Sequence, residues 1–276
     1  MQILAQGALQ KMRTELTPEG VVYKLPVGDQ EVPMNELIGK AISLAYQGAI
    51  NCTHCGRKTN KSFNQGFCYP CFKSLPQCDQ CIVKPELCHF HEGTCRDAGW
   101  GEQFCFQDHY VYLANSSGVK VGITRGTQIP TRWMDQGAIQ ALPILRVSTR
   151  LQSGKVERLL GEHVADKTNW RKMLKNEVEP LTLAEIRDQL FEKCSEGLAE
   201  LEQTFGIQAI QRLPDAEQIE INYPVLNYPT KVTSFNFDKT AEVSGVLQGI
   251  KGQYLILDTG VINMRKFTAY QVSVSA

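Results

Sequence analysis

The sequence predicts an α+β protein in which a cysteine-rich region precedes a small mixed core, with β-rich segments at either end. Nine of the ten cysteines lie between Cys52 and Cys105, a stretch with little apolar periodicity. Residues 107–180 alternate strand-like and helix-like stretches, whereas glycine-punctuated β-type runs occupy both ends of the chain. These observations divide the chain into five segments, residues 1–50, 51–106, 107–180, 181–206 and 207–276.

Composition narrows the class of protein. The chain has 276 residues, enough for one large or two modest domains, and it is 42% hydrophobic and 21% charged, as globular proteins are. Its 29 basic residues balance 29 acidic ones, which argues against a strongly basic nucleic-acid coat or a polybasic membrane anchor. No apolar run approaches the roughly 18–20 residues of a membrane span, and the first residues do not resemble a signal peptide. We therefore expect a cytoplasmic protein with no membrane partner.

Two Cys-x2-Cys pairs give the clearest chemical signal. Cys52 and Cys55 form the first pair, and Cys68 and Cys71 form the second pair twelve residues later. In a reducing cytosol, clustered cysteines usually indicate metal binding rather than disulfides. Each pair can turn two thiolates onto one ion, and two pairs complete a tetrahedron. The spacing therefore predicts a structural zinc site that resembles a zinc ribbon.

A third pair and the donors after it predict a second zinc, giving about two zincs per chain. The predicted ligands of this second site are Cys78, Cys81, Cys88 and Cys95. His91 and Cys105 are the alternatives for the last ligands, and interleaving of ligand pairs between the two zincs stays open. His89, His91 and His109 can also be ordinary polar residues. The patterns of zinc deaminases and H-E-x2-H proteases are absent, so both sites are predicted to be structural.

Residues 182–205 carry the clearest helical pattern. Thr182 and Glu185 have the spacing of a capping box, and an apolar stripe follows that includes Cys194. We therefore assign Cys194 to the hydrophobic core rather than to a metal. The sequence predicts one helix over this range.

The two ends of the chain share a short similarity. Gly7-Ala8-Leu9-Gln10 is similar to Gly245-Val246-Leu247-Gln248, and a Tyr-centred apolar strand follows each. Chance readily explains four residues. The second interpretation is that both ends contribute strands to one small β-barrel.

Residues 107–180 predict the element order β-β-α-β-α. Two β runs flank a four-residue turn that contains Gly118, Pro130 suits the first turn of a short helix, and Ser153 can cap a second helix. This segment has 11 basic and 7 acidic residues, a net charge of +4, and is the only locally basic part of the chain. We expect a phosphate ligand here, the alternative being a solvated charged surface.

The residues of this segment resemble the GIY-YIG nuclease superfamily, especially its divergent branches with Lys in the second motif. Tyr110-Val111-Tyr112 aligns with the first motif, and Lys120-Val121-Gly122 aligns with the second. An arginine, a glutamate and an asparagine follow in the family's order. The site residues that the resemblance implies are Tyr112, Lys120, Arg132, Glu157 and Asn169. A cysteine region before such a core also resembles a bacterial protein family of unknown function.

The resemblance implies a nuclease that cleaves phosphodiester bonds in DNA or RNA with Mg²⁺ or Mn²⁺ on Glu157. Arg132 would bind phosphate oxygens, with Arg125 as an alternative, and Tyr112 would help to activate water. Lys120 would orient the water or neutralise phosphate charge. The partner is therefore expected to be a nucleic acid, and the absence of Rossmann and P-loop patterns argues against a nucleotide cofactor.

Three departures from the family's pattern leave the activity open. Position 110 is Tyr rather than Gly, position 120 is Lys rather than Tyr, and no His or Tyr follows Arg132 closely. The alternatives are a catalytically inactive nucleic-acid-binding module and a zinc-stabilised scaffold for protein interactions. Mg²⁺-dependent cleavage of nucleic acid would distinguish the first interpretation from the other two.

Overall fold

The computed structural model describes residues 1–164 and 169–276. Numbered along the chain, the strands are β1 (Ile3–Ala8), β2 (Arg13–Thr17), β3 (Gly20–Val27), β4 (Gln30–Pro33), β5 (Ala41–Asn51), β6 (Lys58–Thr59), β7 (His109–Asn115), β8 (Val119–Arg125), β9 (Gln140–Val147), β10 (Ile210–Arg212), β11 (Ile219–Glu220), β12 (Glu242–Lys251), β13 (Tyr254–Leu257), β14 (Gly260–Asn263) and β15 (Tyr270–Ser275). The helices are α1 (Tyr69–Ser74), α2 (Ala98–Cys105), α3 (Thr131–Asp135), α4 (Arg150–Gly161), α5 (Trp170–Leu174), α6 (Leu183–Lys193) and α7 (Ser195–Phe205). Short 3₁₀ helices occupy Met34–Leu37, Pro76–Cys78, Gln80–Ile82, Pro85–Leu87, Phe90–Glu92, Gly126–Gln128 and Met264–Phe267.

The strands form three sheets in the described part of the chain, so the protein is of the mixed α+β class. The largest sheet has the order β1-β15-β5-β12-β13-β14, with β6 beside β5, and therefore combines both ends of the chain. The second has the order β10-β9-β7-β8, with β11 beside β9, and the third is β2-β3-β4. No helix among the described residues is long and apolar enough to cross a membrane.

The two ends of the chain repeat the same arrangement of elements. Strands β3 and β4 pair Lys24 with Pro33 through to Val27 with Gln30, and β13 and β14 pair Tyr254 with Asn263 through to Leu257 with Gly260. Every position in the second hairpin lies 230 residues after its counterpart in the first. Each hairpin leads into a four-residue 3₁₀ helix that begins with a fully buried methionine, Met34 or Met264.

The repeated halves exchange equivalent hydrogen bonds, so they are related by an approximate two-fold axis. Gly39 N–H donates to Leu247 O over 2.8 Å, and Ala269 N–H donates to Leu9 O over 2.9 Å. Gly39 and Ala269 both have left-handed backbone conformations, with φ of 85° and 81°. The axis passes through the pairing of β5 with β15. The short similarity between the two ends of the sequence therefore marks equivalent positions in the two halves.

The second sheet, β10-β9-β7-β8, which we call the central sheet, is covered on both faces. Val111 and Leu113 of β7 pack with Val156 and other residues of α4, α6 and α7, whereas the alternate residue Tyr112 packs with the sheet of the chain ends. A strand buried on both faces reads as a continuous apolar run, which is why residues 110–114 predicted β7. The element order β7-β8-α3-β9-α4 agrees with the predicted β-β-α-β-α order.

The predicted helix over residues 182–205 is two helices. Helix α6 ends at Lys193 and α7 begins at Ser195, with Cys194 between them at φ −104° and ψ 15°. Helical hydrogen bonds still cross the junction, since Cys194 N–H donates to Leu190 O and Leu198 N–H donates to Cys194 O. The apolar stripe is therefore kept, and Cys194 is buried in the core as expected. The predicted capping box is wrong, because the Thr182 side chain accepts no capping hydrogen bond.

Helix α4 begins three residues before the predicted cap at Ser153. Its N-cap is Thr149, whose side chain accepts from Gln152 N–H while the Gln152 side chain accepts from Thr149 N–H. This reciprocal capping box satisfies two N–H groups of the first turn. Ser153 lies inside the helix, and the earlier start places Arg150 in the first turn.

Candidate functional site

The first metal centre consists of the four cysteines predicted from the two pairs. Cys52 follows β5, Cys55 lies in the next turn, Cys68 is the N-cap of α1, and Cys71 lies in the first turn of that helix. Their four sulfur atoms lie within 4.8 Å of one another, and those of Cys55 and Cys68 are 3.7 Å apart. This arrangement of thiols is compatible with a structural zinc ion.

The backbone around this centre favours a thiolate at Cys52. Burial raises the pKa of the Cys52 thiol, but hydrogen bonds from the backbone of Cys55, Cys68 and His54 outweigh burial and lower the pKa to about 6. Backbone N–H groups directed at a sulfur stabilise its negative charge, which a metal ligand must carry. Burial and the neighbouring thiols raise the pKa of Cys71 instead, so the loop by itself supports the charge of one ligand.

The remaining cysteines of the region divide into two locations. Cys81, Cys88, Cys95 and Cys105 line one small cavity together with Asp79 and His89. Cys78 does not line that cavity, and its sulfur instead accepts a hydrogen bond from Asn64 Nδ2 over 3.4 Å. His91 is exposed beside Glu92 and lies outside the cavity as well.

A cleft of about 420 Å³ lies where the cysteine region, the central sheet and the end of the chain meet. Two carboxylates line it, Asp135 and Glu157. The Asp135 carboxylate accepts from Lys11 Nζ over 2.6 Å and from Gln253 Nε2 over 2.8 Å. The five cationic side chains that line it are Lys11, Arg125, Arg132, Arg150 and Arg265. The cleft is therefore basic although the whole chain is neutral.

Tyr112 lies beneath this cleft, where a glycine makes room for it. Tyr112 of β7 pairs with Gly122 of β8, and a Cβ atom at Gly122 would lie 2.6 Å from the Tyr112 hydroxyl oxygen. Only glycine therefore permits the ring to cross the neighbouring strand at this point. The hydroxyl donates to Gln136 Oε1 over 3.2 Å. Burial raises the pKa of Tyr112, while the charge and hydrogen bond of Arg132 lower it and the charge of Glu157 raises it.

Lys120 belongs to the same electrostatic group. Its side chain is 8% exposed, and burial together with Arg132 lowers its pKa to about 8, against the opposing charge of Glu157. The structure therefore brings together four of the five residues that the resemblance implied. The group therefore combines two cations, one carboxylate and a buried phenol.

The structure places the fifth residue, Asn169, elsewhere. It is the N-cap of α5, where its Oδ1 accepts from Lys172 N–H over 3.2 Å. Its own N–H donates to Ser117 Oγ over 2.8 Å in the turn of the β7–β8 hairpin. These contacts tie α5 to the hairpin, and Asn169 is not among the residues that line the cleft.

The comparison with protein families identifies the chain's relatives. The model of a family described as a protein of unknown function, DUF2797, matches residues 39–272. The chain belongs to the DUF2797 family. The match covers the cysteine region, the central sheet and the end of the chain, and it gives no support to the nuclease resemblance. No curated protein and no solved structure matches the chain.

The cleft of this DUF2797 protein includes cationic residues that the sequence did not single out. Arg150 donates from Nη2 to Ile82 O over 2.6 Å, so it joins α4 to the cysteine region. Lys11 and Arg265 come from opposite ends of the chain, and no local pattern marks either one. A capping box at Thr149 and Gln152, visible in the sequence, would have placed Arg150 in a first helical turn.

His109 is a further residue at the edge of the cleft. It is 1% exposed, and its Nδ1 lies 2.7 Å from Gln107 O, an acceptor that fixes the proton on Nδ1. Burial lowers the pKa of His109 to about 4, with the charges of Arg150 and Arg125 acting in the same direction. The imidazole is therefore neutral at pH 7.

Proposed function

We propose that this protein is a divalent-metal-dependent nuclease whose site is the basic cleft. The observation that carries the proposal is Glu157, a carboxylate in a cleft that five cationic side chains line, beside the Tyr112–Arg132 pair. A carboxylate oxygen is the ligand type that Mg²⁺ prefers. Glu157 would hold such an ion, which would supply positive charge to the leaving oxygen of a phosphodiester.

The chain's own residues bind and orient the substrate in this proposal. Arg132 can direct two N–H donors at phosphate oxygens and also donates to the Tyr112 hydroxyl, so it links phosphate position to the phenol. Lys120 is a buried cation at pH 7, since its pKa of about 8 lies above that pH. It therefore neutralises charge at the phosphate from below, in surroundings that exclude most water.

A second cavity supports a nucleic acid as the substrate rather than a small phosphate ester. This cavity, of about 580 Å³, lies against the ends of the chain and the first metal centre. It shares Lys11, Gln65 and Arg265 with the cleft, so the two cavities adjoin. A basic surface that continues past the reacting phosphate suits a polymer, whose neighbouring phosphates need cations of their own.

Cleavage assays on DNA and RNA with Mg²⁺ test the proposal. We expect Glu157→Gln to reduce cleavage by at least about 10²-fold, as loss of a group that stabilises the transition state does, while nucleic-acid binding persists. Glu162→Gln is the matched control, because Glu162 is an exposed residue at the end of the same helix. Equal cleavage by the Glu157→Gln and Glu162→Gln proteins would refute the assignment.

The alternative function is binding without cleavage. The buried Tyr112 favours this alternative, because burial raises its pKa and so disfavours the deprotonated phenol that would accept a proton from water. An inactive binding module predicts salt-sensitive affinity for nucleic acid and no Mg²⁺-dependent product from the wild-type protein. A protein-interaction scaffold predicts no affinity for nucleic acid, so one binding titration separates it from both other functions.

A further inference from the structure

The second group of cysteines has no role in the proposed cleavage. Cys81, Cys88, Cys95 and Cys105 come from four separate short segments, yet all four line one cavity. Cys81 lies in a 3₁₀ helix, Cys88 follows another, Cys95 precedes α2, and Cys105 is the last residue of α2. Cys81 and Cys105 are buried and the other two are half-buried. Four thiols that line one small cavity supply the ligand type and number of a closed structural zinc site.

The other donors at this cavity are Asp79 and His89, and one donor atom of each lies with the Cys81 sulfur in a group whose members are within 4.8 Å of one another. Asp79 Oδ2 accepts from Arg96 Nε over 2.7 Å, and Asp79 Oδ1 accepts from Cys81 N–H over 3.3 Å. Asp79 therefore fits the role of a support for the ligands. His89 Nδ1 lies 2.7 Å from Thr94 Oγ1, and its Nε2 is the alternative to one of the four thiols.

The cavity includes Cys105 and not Cys78, although the Cys-x2-Cys spacing predicts Cys78 as the ligand. Cys78 belongs to a Cys-x2-Cys pair with Cys81, but its sulfur accepts from Asn64, outside the cavity that Cys81 lines. Cys105 follows Cys81 by 24 residues and lines that cavity because α2 packs over it. Gly101 of α2 makes this packing possible, since a Cβ atom there would lie 2.8 Å from the Phe90 ring.

We propose that Cys81, Cys88, Cys95 and Cys105 bind a second structural zinc ion. The cavity is small, which suits a single ion rather than a multinuclear cluster. The aromatic side chains of Phe90 and Trp100 also line it.

This zinc holds one wall of the basic cleft. Ile82, Val83 and Pro85 follow Cys81 directly and line the cleft. Arg150 donates to the carbonyl oxygens of both Cys81 and Ile82, so the metal loop and α4 are joined by direct bonds. The site is a consequence of the cysteine positions alone, and it does not depend on the nuclease proposal.

Elemental analysis of the purified full-length protein and its variants tests the assignment. We expect two zincs per chain in the wild type, about one in Cys105→Ser, and two in the matched variant Cys78→Ser. Cys55→Ser removes a ligand of the first centre and should also leave about one zinc. If Cys105→Ser does not fold, Cys95→Ser at a half-buried ligand gives the same comparison.

Three results would overturn the assignment. The first is a loss of zinc in Cys78→Ser with two zincs retained in Cys105→Ser. The second is a single zinc in the wild-type protein. The third is iron with the visible absorption of an iron–sulfur cluster, which would assign these four thiolates to a different cofactor.

Discussion

At the scale of single residues, Lys120 is a buried cation whose charge interacts with Arg132 and Glu157 of the cleft. It lies on β8 opposite Ala114 and is 8% exposed. Burial disfavours its charged form, and the neighbouring Arg132 adds like charge, so its pKa falls from 10.5 to about 8. The folded protein therefore carries the cost of a buried ammonium group whenever the pH is below that value.

This cost predicts a pH dependence of stability. Between pH 8 and 10.5 the unfolded chain keeps the Lys120 proton that the folded chain has lost, so the Lys120 contribution to the free energy of unfolding increases with pH. We expect the contribution to be on the order of 3 kcal/mol across the window, at about 1.4 kcal/mol per pKa unit. Urea denaturation of the wild type and Lys120→Met at several pH values measures it as a difference.

Lys155→Met is the control for this measurement, because Lys155 is exposed on α4. Its stability curve should run parallel to that of the wild type. If the curve of Lys120→Met runs parallel to the wild type as well, the lysine is not the source of the pH dependence.

Residue roles were predictable where the chemistry is local. The first metal centre follows from two Cys-x2-Cys pairs, because a pair in one loop binds one ion whatever the rest of the chain does. The same reasoning from local spacing fails for Cys78 and Asn169. Each matches a spacing, but Cys78 lies outside the cavity of Cys81, and Asn169 caps α5. Tertiary packing decides which member of a local pattern reaches a site.

At the scale of elements, α4 joins the cysteine region to the central sheet. Gly154 is buried against the 3₁₀ helix Pro85–Leu87, and a Cβ atom at Gly154 would lie 2.4 Å from the backbone nitrogen of Glu86. The atom that such a Cβ would contact belongs to the backbone, which cannot move aside as the end of a flexible side chain can. The glycine therefore sets the distance between α4 and the wall of the cleft.

Two glycines of α4 give a matched test of this contact. Gly154→Ala gains helix propensity of about 1 kcal/mol and Gly161→Ala, at the last residue of the helix, gains less, but of the two only Gly154 faces a neighbour within 4 Å. We expect Gly161→Ala to leave the free energy of unfolding unchanged or slightly higher, and Gly154→Ala to lower it by about 1–3 kcal/mol. Denaturant unfolding of both variants measures the difference, and equal stabilities would mean that the contact is not rigid.

Strands β7 and β8 of the central sheet could be predicted because their apolar runs and the turn residues between them indicate the same hairpin. Residues 110–114 and 119–124 are apolar runs joined by a short turn, and the structure has β7 and β8 there. The start of α4 was mispredicted because Ser153 and Thr149 are both good caps, and only Gln152 completes a capping box with one of them. The break at Cys194 has no sequence signal, since the apolar stripe continues through it.

At the scale of the whole molecule, the cleft depends on residues that are remote in sequence. Arg132, Arg150 and Glu157 come from residues 107–180, and Arg150 also donates a hydrogen bond to the cysteine region. Lys11 and Arg265 come from the two ends of the chain. The resemblance predicted Arg132 and Glu157 because its motifs lie within one segment. Lys11 and Arg265 could not be predicted from any single segment, because only the sheet shared by both ends of the chain brings them to the cleft.

The contribution of the chain ends to nucleic-acid binding is testable with adjacent residues. Arg265 lines the cleft with its pKa lowered, mainly by burial and next by Arg132, whereas Lys266 is exposed. We expect Arg265→Gln to weaken binding and to reduce the slope of log affinity against log salt by about 0.7–0.9, the loss of one phosphate contact. Lys266→Gln should change neither quantity. Matching salt slopes for the two variants would place the nucleic acid elsewhere.

The exchange of hydrogen bonds between the two repeated halves also constrains the order in which the chain folds. Met12 N–H donates to Gln253 Oε1 across 241 residues of sequence, so the first half emerges from the ribosome long before its partner. Until β12 and β15 are synthesised, β1 and β5 expose unpaired strand edges, which are sites of aggregation in a nascent chain. The β7–β8 hairpin needs no such wait, because its pairings join residues that are close in sequence. The terminal sheet can therefore close only once β15 has been synthesised, and its closure joins the start of the chain to its end.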